Sequence, residues 1–214
     1  MKEIYILGIG HNTPVFIDLV EACGYKLMGL YHYTTSLTGR LDHGYPILGT
    51  YDDLWQESSL AGKCFALSQG DNRVRKDIYD RIISKGGSVP TLVHPNAYVS
   101  RFAKLGSGTV IHVGTVVQPD VIIGENTVVS YNSSITHNTV IGNNCYIAMG
   151  AMIGAYVNIE DEVFIGIGAN LISGKVDRVG HNAYIGAGAL VTKSVEAETV
   201  VAGFPAKVIR KQSR

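Results

Sequence analysis

From Val99 to Leu171 an aliphatic side chain recurs at every sixth residue without a gap: Val99, Leu105, Ile111, Val117, Ile123, Val129, Ile135, Ile141, Ile147, Ile153, Ile159, Ile165 and Leu171. Neither a helix, with its period of about 3.6 residues, nor an alternating strand produces this register. A strict six-residue repeat predicts a hexapeptide β-helix, in which each hexapeptide supplies one short strand and one corner. The aliphatic residue points into a narrow column, and a small residue beside it lets the chain turn. Leu105-Gly106, Ile123-Gly124, Ile141-Gly142, Ile153-Gly154 and Ile165-Gly166 show that pairing. After Leu171 two residues are inserted around Lys175–Arg178, and the register resumes at Val179, Ile185 and Val191. A β-sandwich would need this spacing by coincidence.

The first part of the chain follows another pattern. Ile4–Leu7 is a short apolar strand, and Gly8-Ile9-Gly10 leads into an amphipathic helix over Val15–Ala22 that ends near Cys23-Gly24. Leu27–Tyr31 predicts a second strand, Asp52–Trp55 a short helix and Cys64–Leu67 a third strand. Asp71–Lys85 reads as a helix with Val74, Ile78 and Ile82 on its apolar face and Arg73, Lys76 and Asp77 outward. Strands alternating with helices predict a small parallel α/β domain. Its end is set by the Gly/Pro-rich Gly86-Gly87-Ser88-Val89-Pro90, which gives an α/β domain over 1–88 and a β-helix domain over 89–214.

Composition narrows the function. The chain of 214 residues has 18 basic and 18 acidic side chains and no basic cluster, which argues against nucleic acid as a partner. No apolar run approaches a membrane span. Met1-Lys2-Glu3-Ile4 runs straight into a strand, so no signal peptide is expected. The three cysteines, Cys23, Cys64 and Cys145, lack metal-ligand spacing and read as buried free thiols. The expectation is a cytoplasmic protein without a metal.

Parallel α/β domains bind ligands at the carboxyl ends of their strands. Here that edge holds Gly8-Ile9-Gly10-His11 and Ser68-Gln69-Gly70-Asp71-Asn72. A glycine-rich turn at a helix N-terminus offers free N–H groups and a positive dipole end to a phosphate. The third glycine of a dinucleotide fingerprint is missing, with Thr13 in its place, so a plain strand-to-helix turn is an equal reading.

Ile-Leu-Gly-Ile-Gly-His at 6–11, Gly-Asp-Asn-x-x-Arg at 70–75, His-Pro-x-Ala at 94–97, the hexapeptide repeat and the terminal Gly203-Phe204-Pro205-Ala206-Lys207 stand together in this chain. The combination resembles the family of sialic acid O-acetyltransferases and sugar-nucleotide N-acetyltransferases, over essentially the whole length. The resemblance implies a left-handed β-helix, a homotrimer, acetyl-CoA bound between neighbouring β-helices and a nucleotide-linked amino sugar held by the α/β domain. It places the catalytic base at His137, within Asn132-Ser133-Ser134-Ile135-Thr136-His137, with Asn138 where the family usually carries Glu or Asp. A neutral imidazole suits removal of a proton from an attacking amine near pH 7, and an amide partner can hold its tautomer without adding charge.

By the same resemblance Gly8, Gly10, His11, Gly70, Asp71, Asn72, Arg75 and Asn132 contact the sugar nucleotide, although His11 and Asp71 can equally serve the adjoining helix N-termini. His32 and Tyr33 stand where the family often has an acidic pair against base and ribose. Tyr146, Ala155, Gly166, Ile167, Gly186, Ala187 and Lys207 are implied for the cofactor, the glycines doubling as β-helix corners. His94 reads as a hinge before Pro95, His112 as a corner residue and His181 as surface. Two alternatives remain open: O-acetylation of a sialic acid or another sugar, and a non-catalytic trimeric scaffold. A carbonic-anhydrase-like zinc site is not supplied by His112, His137 and His181.

Overall fold

The computed structural model describes residues 1–212 of the chain. It divides into two compact units, Met1–Leu92 and Val93–Arg214. None of the described helices is long and apolar enough to cross a membrane.

The first unit is built on a five-stranded sheet. Its elements are β1 (Lys2–Leu7), α1 (Thr13–Ala22), β2 (Tyr25–His32), β3 (Leu41–Asp42), β4 (Tyr45–Thr50), α2 (Tyr51–Gln56), β5 (Phe65–Leu67) and α3 (Asn72–Ser84). The strand order is β3-β4-β2-β1-β5, parallel except for the β3–β4 hairpin. That hairpin was not foreseen: its strands are short, and its signal is His43-Gly44, both at positive φ (47° and 84°). Two left-handed residues in succession suit a tight hairpin because their twist matches that of the flanking strands.

Helix capping fixes the ends nearest the sheet edge. Thr50 Oγ1 accepts from the Asp53 N–H at 3.1 Å while Asp53 Oδ2 accepts from the Thr50 N–H at 2.7 Å, a reciprocal capping box for α2. Asp71 caps α3 by accepting from the N–H groups of Arg73 and Val74. Ile78, Tyr79 and Ile82 of α3 join Leu7, Leu54, Phe65 and Leu67 in the core. Val74 was expected on that apolar face and instead is 47% exposed; the buried position one residue later is Arg75, at 1% exposure. The cysteine expectation also needs correction, since Cys145 alone is buried and Cys23 and Cys64 are half-buried.

From Val93 on, two-residue strands stack in parallel register into three sheets, the faces of a coil. The first face runs from Leu92–Val93 through Val110–Ile111, Val128–Val129, Tyr146–Ile147, Phe164–Ile165 and Tyr184–Ile185 to Thr199–Gly203. The second stacks Tyr98–Val99, Val116–Val117, Ser134–Ile135, Met152–Ile153, Asn170–Leu171 and Leu190–Val191. The third stacks Lys104–Leu105, Ile122–Ile123, Val140–Ile141, Asn158–Ile159 and Arg178–Val179.

The period-six aliphatics form the inward rows. Val117, Ile135, Ile153, Leu171 and Val191 pack one above another, each at 3% exposure or less. Full burial of each such side chain contributes about 1.5–3 kcal/mol, so these rows dominate the stability of the coil. Two positions before each aliphatic lies a second inward column of small residues. Thr109, Thr115, Thr127, Ser133 and Thr139 are buried there, each donating its hydroxyl hydrogen to the carbonyl oxygen of Gly124, Ser130, Gly142, Ala148 and Gly154, respectively, one coil on. Cys145 belongs to this column, its thiol directed at the Glu160 carbonyl.

The corners share one backbone solution. Gly108, Gly114, Asp120, Asn126, Asn132, Asn138, Asn144, Gly150, Tyr156, Glu162, Gly168 and Gly174 all have positive φ, one per hexapeptide. Glycine and asparagine tolerate this region best, which explains why they fill most corners. The chain lengthens once, between Leu171 and Arg178, where Val176 turns inward with 1% exposure. The first face ends in a strand over Ala206–Lys211 that pairs antiparallel with Thr199–Gly203.

Candidate functional site

His137 lies at the corner joining the second face to the third. Its Nδ1 is 2.9 Å from Asn138 Oδ1. An amide oxygen only accepts, so in this contact Nδ1 carries the hydrogen, and in the neutral imidazole Nε2 is the nitrogen with the lone pair. The backbone N–H of His137 donates to Gln118 Oε1 at 3.2 Å, one coil below. One coil above, Tyr156 donates its backbone N–H to the His137 carbonyl at 3.4 Å and packs its ring against the imidazole, centroids 5.4 Å apart at 89°. Ala155, directly above His137, is buried at 7% exposure. Asn138 is exposed with φ at 58°, so its place in the corner ladder accounts for an asparagine there.

The other expected cofactor residues lie elsewhere on the coil. Ile167 and Ala187 are at the corner between the first and second faces, together with Asn132, which was expected against the sugar nucleotide. There Met149 and Ile167, 45% and 54% exposed, sit in successive coils with Ala187 next, an apolar strip along the corner. Gly166 and Gly186 serve the stacking of coils: a Cβ on Gly166 would lie 2.6 Å from the Ala187 nitrogen, and one on Gly186 would lie 2.8 Å from Ala202 Cβ. Tyr146 is on the first face, stacked on Phe164 at 5.6 Å, with Tyr184 stacked beyond it at 4.7 Å from Phe164. Lys207 is exposed on the terminal strand. A single chain therefore puts His137, Asn138 and Ala155 at one corner and the Asn132, Ile167 and Ala187 group at another.

In the first unit a cleft of about 300 Å³ opens at the carboxyl ends of β1, β2 and β5. Gly8, Ile9, Gly10, His11 and Asn12 form one wall, and Tyr33, Tyr51, Ser68, Gln69 and Val74 the other. Gly8 is required, because at φ 115° a Cβ would lie 2.2 Å from Ser68 Oγ. The glycine N–H groups are not free for a phosphate: that of Gly8 donates to the Tyr31 carbonyl at 3.0 Å, and that of Gly10 to Thr13 Oγ1 at 2.7 Å. Gln69 Nε2 donates to the Leu7 carbonyl at 2.9 Å and to Tyr51 Oη at 2.7 Å. Among the described residues nothing partners Gln69 Oε1. Burial pushes the Tyr51 phenol up to about 12, so it stays protonated as a donor.

Of the other residues expected here, Tyr33 lines the cleft while His32 is buried beneath it, accepting from the Thr34 N–H at 3.0 Å through Nδ1. Arg75 is internal: Nη1 donates to the Gln69 carbonyl at 3.2 Å and Nη2 to Asn72 Oδ1 at 2.9 Å. Gly70, Asp71, Asn72 and Arg75 thus frame the strand-to-helix turn, while Ser68, Gln69 and Val74 line the cleft. Gln118, Tyr51 and Tyr156 were missed by sequence reasoning, whereas Gln69 stood on the expected ligand-binding edge. For Gln118 and Tyr156 the signal was the coil itself, which returns them beside His137 and Asn138 after three hexapeptides.

Among the described residues no cluster of His, Cys, Asp or Glu could hold a metal ion. His112, read as a corner residue, is buried at 4% exposure with its ring 4.6 Å from that of Tyr131. Burial, with a smaller contribution from His94, holds its pKa down at about 4, so it is neutral near pH 7. His181 is exposed, its backbone N–H donating to Glu160 Oε2 at 2.6 Å.

The bacterial transferase hexapeptide family (six repeats) matches residues 102–137 and 120–155. A 2,3,4,5-tetrahydropyridine-2,6-dicarboxylate N-acetyltransferase of Staphylococcus aureus (strain bovine RF122 / ET3-1) is 54% identical over 57 residues, 27% of this chain and 23% of that enzyme. The chain thus spans about a quarter of the length of the curated relatives it matches. Solved structures match far more of it. The acetyltransferase domain of PglB from Neisseria gonorrhoeae FA1090 has a TM-score of 0.88 at 27% identity, covering 98% of this chain and 100% of that one; the domain has also been solved with acetyl coenzyme A. A histidine-to-asparagine variant of perosamine N-acetyltransferase from Caulobacter crescentus, in complex with CoA and GDP-perosamine, has a TM-score of 0.89 at 26% identity, covering 98% and 97%. The matched repeats fall within the second unit, and along nearly its whole length the chain is similar to these solved acetyltransferase structures.

Proposed function

We propose that this protein transfers the acetyl group of acetyl-CoA to the amino group of a nucleotide-linked amino sugar. The observation that carries the reading is the His137–Asn138 contact, which leaves Nε2 as a free base at a coil corner. Acetyl-CoA supplies a thioester whose acyl carbon forms the new C–N bond as its C–S bond breaks. His137 takes the proton lost by the amine at Nε2 and returns it to the departing thiolate, so the imidazole ends neutral. The exposed apolar strip at Met149, Ile167 and Ala187 fits a pantetheine arm, and Lys207 offers a cation to its phosphates. The cleft at Gly8–Asn12, Tyr33 and Gln69 has room and polar groups for part of a sugar nucleotide. The solved complexes of the similar perosamine N-acetyltransferase with CoA and GDP-perosamine support this pair of substrates.

Thermal-shift titration with UDP-, dTDP-, GDP- and CMP-linked amino sugars, with and without CoA, tests the reading. One class raises Tm, and incubation with acetyl-CoA then converts it to the N-acetyl product by mass spectrometry. Binding of none, or acetylation of a hydroxyl in its place, overturns it.

We further infer a homotrimer. A single coil has convex faces, and the base and the apolar strip stand at different corners, so a groove holding both requires a neighbouring copy. Light scattering at three times the chain mass is the expected result; a monomer that still transfers acetyl groups would rule the arrangement out. The reading carries with it a cytoplasmic location, where acetyl-CoA is available.

A further inference from the structure

Every described corner of the β-helix with positive φ is Gly, Asn, Asp or Glu except Tyr156, at φ 62°. A bulky aromatic in the left-handed region is strained, and the other corners of its own column with positive φ, Asp120, Asn138 and Gly174, carry small residues. Burial does not offset the strain, because Tyr156 is 68% exposed. Its ring does have one specific neighbour, the imidazole of His137, met edge to face at 5.4 Å and 89°. Asn138 meanwhile holds the Nδ1 side of that imidazole at 2.9 Å.

We propose that Tyr156 is a positioning residue for His137: its ring limits rotation of the imidazole so that Nδ1 stays on Asn138 and Nε2 is presented to the amine. The proposal rests on the reading of His137 as the base. A hydrogen bond to a single exposed amide leaves the imidazole free to swing away, and an aromatic wall on the next coil removes that freedom. The backbone strain is then the cost of keeping a ring where a small residue would fit better, a recurring arrangement at functional sites.

Tyr156→Asn and Tyr156→Phe in the full chain test this. Tyr156→Asn relieves the corner, so Tm rises, yet kcat falls about tenfold with KM values for both substrates within about twofold, the signature of a lost transition-state alignment. Tyr156→Phe keeps the ring and recovers most of kcat. Nitrogen-15 spectra of the His137 ring report position independently of turnover: the Nδ1–H tautomer dominates in the parent and mixes with the other in Tyr156→Asn. Unchanged kcat and an unchanged tautomer in Tyr156→Asn overturn the proposal. Loss in Tyr156→Phe equal to that in Tyr156→Asn also overturns it, by assigning the effect to the hydroxyl. If the Asn variant fails to fold, Tyr156→Gly, matching Gly174 in the same column, takes its place. A parent that acetylates no amine would sink the functional reading alone, because the ring spectra still decide the role of Tyr156.

Discussion

Replacing His137 by alanine lowers kcat by about 10²–10⁴, the range for loss of a general base, while acetyl-CoA affinity stays unchanged. The two effects separate because the contacts proposed for the cofactor, along the exposed apolar strip at Met149, Ile167 and Ala187, do not include the His137 imidazole. The imidazole is half-buried, its ring partners are Asn138 and Tyr156, and neither belongs to the hydrophobic rows, so the fold survives the truncation. Steady-state kinetics with calorimetry of CoA binding checks this. Full activity in His137→Ala would remove the base assignment and shift suspicion to His11, the histidine that lines the cleft of the first unit. A raised KM with unchanged kcat would make His137 a binding group only.

Stability falls as pH is lowered from about 6.5 to about 4, and His112 supplies a large part of the loss. Burial holds its pKa at about 4 in the fold, against about 6.5 for a free imidazole. Between those values the unfolded chain binds a proton that the folded chain refuses, so lower pH favours unfolding. The stabilisation is fully present above about 6.5 and is lost progressively towards 4. A shift of this size corresponds to about 3 kcal/mol by linkage. Urea unfolding at pH 7 and at pH 4.5, on the parent and on His112→Gln, isolates the contribution, since carboxylates titrate equally in both. The parent loses more stability than the variant over that interval. Equal losses would mean that the imidazole is hydrated and protonates freely in the folded protein.

The β-helix was legible because its one dominant force is written as a period: an aliphatic every sixth residue can be buried only by a coil of this pitch. The small inward column at Thr109, Thr115, Thr127, Ser133 and Thr139 was equally visible in spacing, but small polar residues carry no burial signal until their hydroxyls are seen to reach the next coil. The α/β elements emerged at nearly their true places, whereas the face of α3 was misjudged. Val74 looked apolar and therefore inward, while Arg75 was expected against the sugar nucleotide; Arg75 is the buried one of the two, its guanidinium satisfied by the Gln69 carbonyl and the Asn72 side chain. His137 and Asn138 were found through resemblance, yet the reason for an amide at 138 lies in the φ of 58° that the corner imposes. Gln118 and Tyr156 were out of reach because proximity across a coil depends on three hexapeptides closing one turn, a fact about winding that no local motif contains.

Winding of this kind keeps a phase. Six residues added to the coil would carry everything after them round by one face, exchanging the surroundings of every later side chain. The chain nevertheless lengthens between Leu171 and Arg178 and returns in step, with Asn158 paired to Arg178 and Leu171 to Val191. Residues 172–175 of this segment are exposed while Val176 turns inward, at the same corner column that carries His137 and Tyr156 lower down. That corner is therefore a place where new sequence can accumulate above the imidazole without detuning the turns below it. Variation in what the protein accepts has an address here that leaves its chemistry in register.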